Sequence, residues 1–496
     1  MRGMALKLYN TATRTKEDFQ PLYQGKVGMY VCGVTVYDLC HIGHARSAIV
    51  FDVLARYLRA GGFDVTYVRN FTDVDDKIID RARQLGKSPG ELAQEYIDAF
   101  YEDMQNLGVF PADKEPRATE HIDGMIEMIS TLIHKGYAYV EGGDVFYAVE
   151  KFPDYGSLSG RKIEDMKAGS RVAVDEKKRH PMDFALWKAA KPGEPEWPSP
   201  WGPGRPGWHI ECSVMSSFYL GHSFDIHGGG EDLLFPHHEN ERAQSVAATG
   251  GQFARYWIHN GFVTVESEKM SKSLGNFLTI RDALKTYHPE VLRLFLLSKH
   301  YRTPLDFSKE AVSDLQSGLV RIYRTLQRIE ESIGDHRAKE QSSSRSLLRE
   351  GEGSLEGSPG GSLLEQFIQA MDDDLNTPGA LGAIFGAVKE MNRNLDAHGG
   401  DLDRKTRAQL ESGRRDLYRA AKVLGILEES PEAFFEKLSC ATETVTPQEI
   451  EKLIEERARA RKAKDWSRAD AIRSRLESMG IVLEDGPKGT TWRHDI

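Results

Sequence analysis

Cys40, His41, Ile42, Gly43 and His44 stand together just ahead of a run with helical periodicity. The N-terminus of a helix presents unpaired N–H groups and the positive end of a dipole, so it favours phosphate. Two imidazoles there can hydrogen-bond phosphate oxygens without a fixed charge. Gly43, between them, lets a flat base approach the backbone. The run Lys269, Met270, Ser271, Lys272, Ser273 puts two lysines in a polar loop. Such a loop suits a polyphosphate that gains negative charge as it reacts. Either string alone also reads as a solvated polar turn. Set on opposite halves of one sheet, they read as a nucleotide site.

A third string runs from Phe224 through His227, Gly228, Gly229 and Gly230 to Asp232. Glycines at the end of a strand let a ligand come close to the backbone, and Asp232 could take a ribose hydroxyl, although a lone glycine run is usually just a turn. A fourth group is scattered. His237 and Glu241 are four apart and share a face of a predicted helix, Cys32 ends a predicted strand, and Cys212 closes the string Trp208, His209, Ile210, Glu211, Cys212. Thiolate, imidazole and carboxylate all suit zinc. Without contiguous spacing, a buried Cys32, an inert Cys212 and an exposed polar pair remain open readings. Finally, residues 457–475 carry eight basic side chains against two acidic ones, with Trp466 inside the run and Trp492 beyond it. Phosphate-binding cations with an aromatic for stacking suit RNA, and a solvated helix looks much the same.

These residues need a frame. The apolar pattern predicts a strand over 27–32, a helix from about 45 to 60 ended by Gly61 and Gly62, and a second strand over 65–71. A second alternation follows: a strand over 224–227, a helix over 236–248 and a strand over 256–265. Two such βαβ halves imply one doubly wound parallel sheet, an α/β fold. The segment of about 100–220 between them is an expected insertion, with a mobile Pro- and Trp-rich stretch at 191–208. Beyond 305 the spacing turns helical, interrupted by seven Ser and five Gly in residues 341–362, which read as a flexible linker. Thr446 and Glu449 predict a capping box for a last unit, with Pro447 at the first helical position.

Composition narrows the class. Hydrophobic residues are 40% and charged residues 28% of the 496, ordinary for a soluble globular protein. A net charge of −10 argues against a sequence-independent nucleic-acid coat. Four cysteines (Cys32, Cys40, Cys212, Cys440) in so long a chain favour metal binding or catalysis over a disulfide framework. No apolar run is long enough for a membrane span and residues 1–10 lack a signal peptide's apolar segment, so a cytoplasmic location is expected.

Taken together, the strings resemble those of bacterial cysteinyl-tRNA synthetases, which are class I aminoacyl-tRNA synthetases. The two class signatures are His41, Ile42, Gly43, His44 and Lys269, Met270, Ser271, Lys272, Ser273. Residues 30–37, 69–77, 207–212, 227–241, 371–378 and 484–493 carry the cysteine-specific strings. The resemblance implies a Rossmann-type catalytic domain over 1–305, a helical bundle over 306–430 and a small anticodon-binding domain over 446–496. It implies that Cys32, Cys212, His237 and Glu241 bind one zinc ion. It puts Gly33, Thr35, Thr72 and Trp208 around the cysteine moiety and Gly230 and Asp232 on adenosine. His41, Gly43, His44, Lys269 and Lys272 would meet ATP, with His41, His44, Lys269 and Lys272 as the catalytic groups. The Ser/Gly-rich stretch at 341–362 is longer than the family needs.

The implied reaction activates L-cysteine with ATP and Mg²⁺ to cysteinyl-adenylate, releasing pyrophosphate, and then passes cysteine to tRNA(Cys). A monomer with no membrane partner is expected. Zinc would do the selecting, because apolar packing separates side chains differing by one small group by only about 1–3 kcal/mol, whereas a soft metal prefers sulfur. The rival reading is a ligase joining cysteine to a small-molecule amine. Such paralogues generally lack the C-terminal tail that this chain has. A non-catalytic zinc or RNA-binding protein on the same fold is a further alternative, and two intact nucleotide signatures argue against it.

Overall fold

The computed structural model describes residues 5–161, 177–266, 268–269, 277–333, 362–398, 402–442, 447–462, 465–478, 481–486 and 489–494. Lys272, Thr446 and all of 341–362 except Ser362 lie outside them.

In chain order, β1 (Lys7–Asn10) and β2 (Thr15–Asp18) form a hairpin. β3 (Lys26–Thr35), helix α1 (Ile42–Ala60) and β4 (Asp64–Thr72) make the first parallel βαβ unit. β5 (Ala138–Glu141), β6 (Asp144–Tyr147), β7 (Phe184–Ala189) and β8 (Gly204–Pro206) form an inserted antiparallel sheet. β9 (Ser223–Gly230) and β10 (Phe253–Asn260) flank the helix Glu239–Thr249 and make the second parallel unit. β11 (Val263–Val265), β12 (Glu268–Lys269) and β13 (Leu305–Phe307) form a small mixed sheet. Helices Lys309–Ile333, Leu363–Asp372, Thr377–His398, Arg404–Leu424 and Pro431–Thr442 follow. Two more, Pro447–Lys462 and Trp466–Ser478, precede the hairpin of β14 (Ile481–Gly486) and β15 (Gly489–His494).

The central sheet has the order β10-β9-β3-β4, all parallel. The chain leaves β3 toward one edge and β9 toward the other. A crevice therefore opens at the carboxyl ends of β3 and β9, where such sheets bind ligands. Alternation along β3 divides two cores. Val27, Met29 and Val31 join α1 and the helical bundle, whereas Tyr30 and Cys32 join the core beneath the inserted sheet. Sequestered on both faces, the strand reads as a continuous apolar run.

Five local expectations are corrected. The first strand does not end at Cys32; it continues to Thr35 through a register shift between Val31 and Val34. A bulge there re-aims the side chains around it, and Gly33 is required because a Cβ would lie 1.6 Å from the Asn70 carbonyl oxygen. The first helix starts at Ile42, so the histidine string is its opening turn. The helix expected over 236–248 is a π-type turn, Leu234–His238, with Phe235 extended (φ −140, ψ 129), followed by the regular helix. The strand expected over 256–265 is broken at Gly261 and Phe262, because β11 leaves the central sheet to pair with β12 and β13. The Pro- and Trp-rich stretch at 191–208 is built into the inserted sheet, where Trp197 and Gly204 exchange backbone hydrogen bonds.

Candidate active site and metal centre

Cys32 comes from the β3 bulge, Cys212 from the helix Trp208–Leu220, His237 from the π-type turn and Glu241 from the first turn of the next helix. Their four donor atoms all lie within 4.8 Å of one another, and all four residues are buried. Cys32 Sγ is 3.3 Å from Glu241 Oε1, Cys212 Sγ is 3.5 Å from His237 Nε2, and His237 Nε2 is 3.0 Å from Glu241 Oε1. Zinc bonds of 2.0–2.3 Å in a tetrahedron need donor separations of about 3.3–3.8 Å, so the set fits zinc with little adjustment.

Neighbours hold these donors in place. His209 Nδ1 and His237 Nδ1 share a 2.8 Å hydrogen bond, leaving His237 Nε2 for the cluster. His227 Nε2 is bonded to Glu241 Oε2 at 2.8 Å. Partners of this kind orient metal-binding groups. The electrostatics suit a cation. Burial opposes charge on Glu241, but His237 and His227 hold its pKa well below the usual range. Burial also pushes the Cys212 thiol up, yet bonding to Cys32 and His237 brings it down to about 6. His237 is raised to about 10, with Glu241 and Cys212 outweighing its burial. The imidazolium proton marks where a metal cation would sit. Cys32, His227, His238 and Glu241 form a second buried donor set that shares two members with the first. In that set His238 Nδ1 is engaged with His259 Nε2, and His259 Nδ1 with Thr11 Oγ1, each at 2.8 Å.

Trp208, Gly33 and Thr72, of the expected cysteine-pocket residues, connect to this centre directly or through one neighbour. The Trp208 ring stacks on His237 at 4.1 Å. Thr72 Oγ1 donates to Glu211 Oε2 at 2.7 Å, beside Cys212. Thr35 pairs with Thr72 across β3 and β4. The Gly33 N–H donates to Asn70 Oδ1, which lies 3.8 Å from Cys212 Sγ.

His41 caps α1. The Gly43 N–H donates to His41 Nδ1 at 3.0 Å, and the His41 N–H donates to His44 Nδ1 at 3.2 Å. The two rings stack 3.8 Å apart. Because both Nδ1 atoms accept, the proton of each neutral ring sits on Nε2. Burial keeps the rings neutral: His41 is lowered, with Asp232 opposing, and His44 falls to about 3. The turn therefore offers two Nε2–H donors at a helix N-terminus. Asp232 lies in the short 3₁₀ turn Glu231–Leu233 that follows Gly230 at the end of β9. Lys269, on β12, pairs with Thr264 of β11. The segment returning from the second signature is zipped to the first. The Ile42 N–H donates to Leu278 O, the Ile280 N–H donates to Cys40 O, and the Phe277 ring meets His41 edge-on.

Sequence reasoning missed His209, His227, His238, His259, Glu211 and Asn70. His209, His227, His238 and Glu211 stand inside strings already singled out, but what each touches lies far away in sequence.

Comparison with known proteins bears on the whole chain. A family model described as the tRNA synthetases class I (C) catalytic domain matches residues 18–317, a DALR domain matches 366–428, and a cysteinyl-tRNA ligase anticodon binding domain matches 444–493. A cysteine–tRNA ligase of Pelobacter propionicus is 55% identical over 492 residues, covering 99% of both chains. The chain belongs to the cysteine–tRNA ligase family. The cysteine–tRNA ligase of Syntrophobacter fumaroxidans is likewise 55% identical, over 99% of this chain and all of its own. The Mycobacterium tuberculosis methionyl-tRNA synthetase in complex with methionyl-adenylate matches with a TM-score of 0.57 at 16% identity, over 86% of this chain and 95% of that one, and shows the shared class I fold. The enzyme is thus a ligase that charges tRNA(Cys) with cysteine at the expense of ATP. The matched anticodon-binding segment counts against the small-amine alternative. Among the described residues no helix is long and apolar enough to cross a membrane.

Proposed function

We propose that the crevice between β3 and β9 is the site of cysteine adenylation, with the metal donors and the ATP donors on its two flanks. His41, Gly43 and His44 hold the ATP phosphates at the α1 N-terminus, Gly230 and Asp232 take the adenosine, and Lys269 and Lys272 meet the phosphate charge. Gly33, Thr35, Thr72 and Trp208 enclose the cysteine. Cys32, Cys212, His237 and Glu241 hold one zinc ion. When bound, zinc supplies a soft Lewis acid that prefers sulfur to oxygen and lowers a thiol's pKa. The observation that carries this reading is the pair of neutral, stacked histidines whose Nε2–H donors stand at a helix N-terminus.

In the first step the cysteine carboxylate attacks the α-phosphate of ATP, brought with Mg²⁺, and pyrophosphate leaves. The work of the chain is positioning and charge stabilisation. His41 and His44 donate to phosphate oxygens without losing a proton, and the two lysines offset charge on the leaving group. In the second step the 3′-terminal ribose hydroxyl of tRNA attacks the carbonyl of the adenylate and gives up its proton, the acyl–phosphate bond breaks, and AMP leaves as the cysteinyl ester forms. The enzyme works as a cytoplasmic monomer, divided into a catalytic part over 1–305, a helical bundle over 306–430 and an anticodon-binding part over 446–496.

ATP–pyrophosphate exchange measured across a panel of amino acids tests the first step. Strong activation of serine over cysteine would contradict it. The tail gives a separate expectation. Its core of Ile450, Ile472 and Leu476 is its own, so deleting 446–496 will leave exchange near wild type and cut kcat/KM for tRNA charging by at least about tenfold, as loss of many phosphate contacts requires. Unchanged charging would count against the tail as a tRNA-binding unit.

A further inference from the structure

Arg46 lies in the second turn of α1, two residues beyond His44, and its side chain is fully buried. No carboxylate of the described residues pairs with it. Its guanidinium donates instead to four backbone carbonyls: Nη1 to Gly261 O at 3.0 Å and Phe262 O at 2.8 Å, Nη2 to His300 O at 3.2 Å and Thr303 O at 2.5 Å. Burial draws its pKa down to about 10, so the cation persists at neutral pH. A rigid, weakly hydrated fork suits such a junction, and a lysine ammonium does not.

The four carbonyls come from two informative places. Gly261 and Phe262 join β10 to β11, whose Thr264 pairs with Lys269. His300 and Thr303 lead into β13, which pairs with the other edge of β11. Asp374 grips this second segment from the far side, accepting from Tyr301 Oη at 2.8 Å and Arg302 Nε at 2.9 Å. On the return side of the second signature, Leu278 and Ile280 are tied by backbone bonds to Ile42 and Cys40. The approach side is tied to α1 through the Arg46 side chain.

We propose that Arg46 is a positioning residue for adenylation: through these carbonyls it fixes the β11–β12 hairpin, and with it Lys269, against the His41 and His44 turn. This rests on the assignment of those residues to ATP. The guanidinium is committed to carbonyls and is not offered to substrate.

The test is Arg46→Lys in the full-length, zinc-loaded enzyme. Lysine keeps the charge but cannot span four carbonyls. The kcat for ATP–pyrophosphate exchange should fall about 100-fold, the scale of a misplacement near 1 Å. The KM for cysteine and the zinc content should stay at wild-type values, which general destabilisation would not allow. A folded variant with wild-type kcat overturns the proposal, as does a loss that tracks zinc content or cysteine KM. Lys272→Ala, assayed alongside, keeps the two readings apart. Full exchange in that variant would sink the ATP assignment itself, whereas an inactive Lys272→Ala beside a normal Arg46→Lys sinks only the role of Arg46. If Arg46→Lys does not fold, Asp374→Asn serves. Its amide oxygen still accepts from Tyr301 and from the Tyr9 N–H, while Arg302 loses its ion pair. A drop in kcat of about tenfold at unchanged cysteine KM supports the proposal, and an unchanged kcat overturns it.

Discussion

Exchanging His237 for Ala will collapse the preference for cysteine over serine in ATP–pyrophosphate exchange. His237 is the donor best placed to test the metal centre, because its removal leaves Glu241 still bonded to His227 at 2.8 Å. The fold therefore keeps a partner for the buried carboxylate, and the loss will be one of selectivity more than of structure. Without the metal, the pocket proposed for Gly33, Thr35, Thr72 and Trp208 can tell sulfur from oxygen only by size and polarity. Such contacts discriminate about 10- to 200-fold, so the cysteine-to-serine ratio of kcat/KM should fall to that range or below. Metal analysis on the same sample should find less than one zinc per chain. A variant that keeps wild-type discrimination after complete zinc loss would contradict this reading of the centre.

His44→Asn will lower the kcat for exchange by about 10²- to 10³-fold, the usual cost of losing one donor to a developing charge. The pH dependence adds a sharper expectation. The folded pKa of His44 is about 3, pressed down by burial and by His41. A histidine lowered in this way is neutral above that value, and its contribution to stability is fully present above the unfolded pKa near 6.5. That contribution is lost as the pH falls from about 6.5 toward 3, because the unfolded state binds the proton first. Between pH 6 and 8, His44 should put no ionisation into the kcat profile. The profile of His44→Asn should run parallel to wild type at a lower level. An acid limb near pH 6.5 that vanishes in the variant would show instead a histidine that must lose its proton to work.

Much of this was legible in the sequence where a local pattern had a local cause. The apolar spacing of α1 and the strand–helix–strand order follow from one βαβ unit, and the histidine string marks its turn. The failures share a physical reason. β3 passes beyond Cys32 because Gly33 tolerates a backbone approach that only the paired strand reveals. β10 and β11 read as one strand because the break at Gly261 and Phe262 goes with distant partners, the Arg46 guanidinium and the strands β12 and β13. The His237 and Glu241 pair was found by four-residue spacing, although a π-type turn rather than a regular helix brings them together. His209 and His227 were invisible as supports, since each acts on a donor 14 or more residues away. Arg46 has the sequence of a surface helix cation and the environment of a core residue.

Zinc K-edge X-ray absorption on the zinc-loaded enzyme, with and without cysteine, tests the central claim most directly. Without substrate, the expected scattering is that of two sulfurs, from Cys32 and Cys212, with nitrogen and oxygen from His237 and Glu241. On adding cysteine one further sulfur should appear at about 2.3 Å, and serine should cause no such change. A metal shell indifferent to cysteine would mean a structural ion and would contradict its role in choosing the substrate.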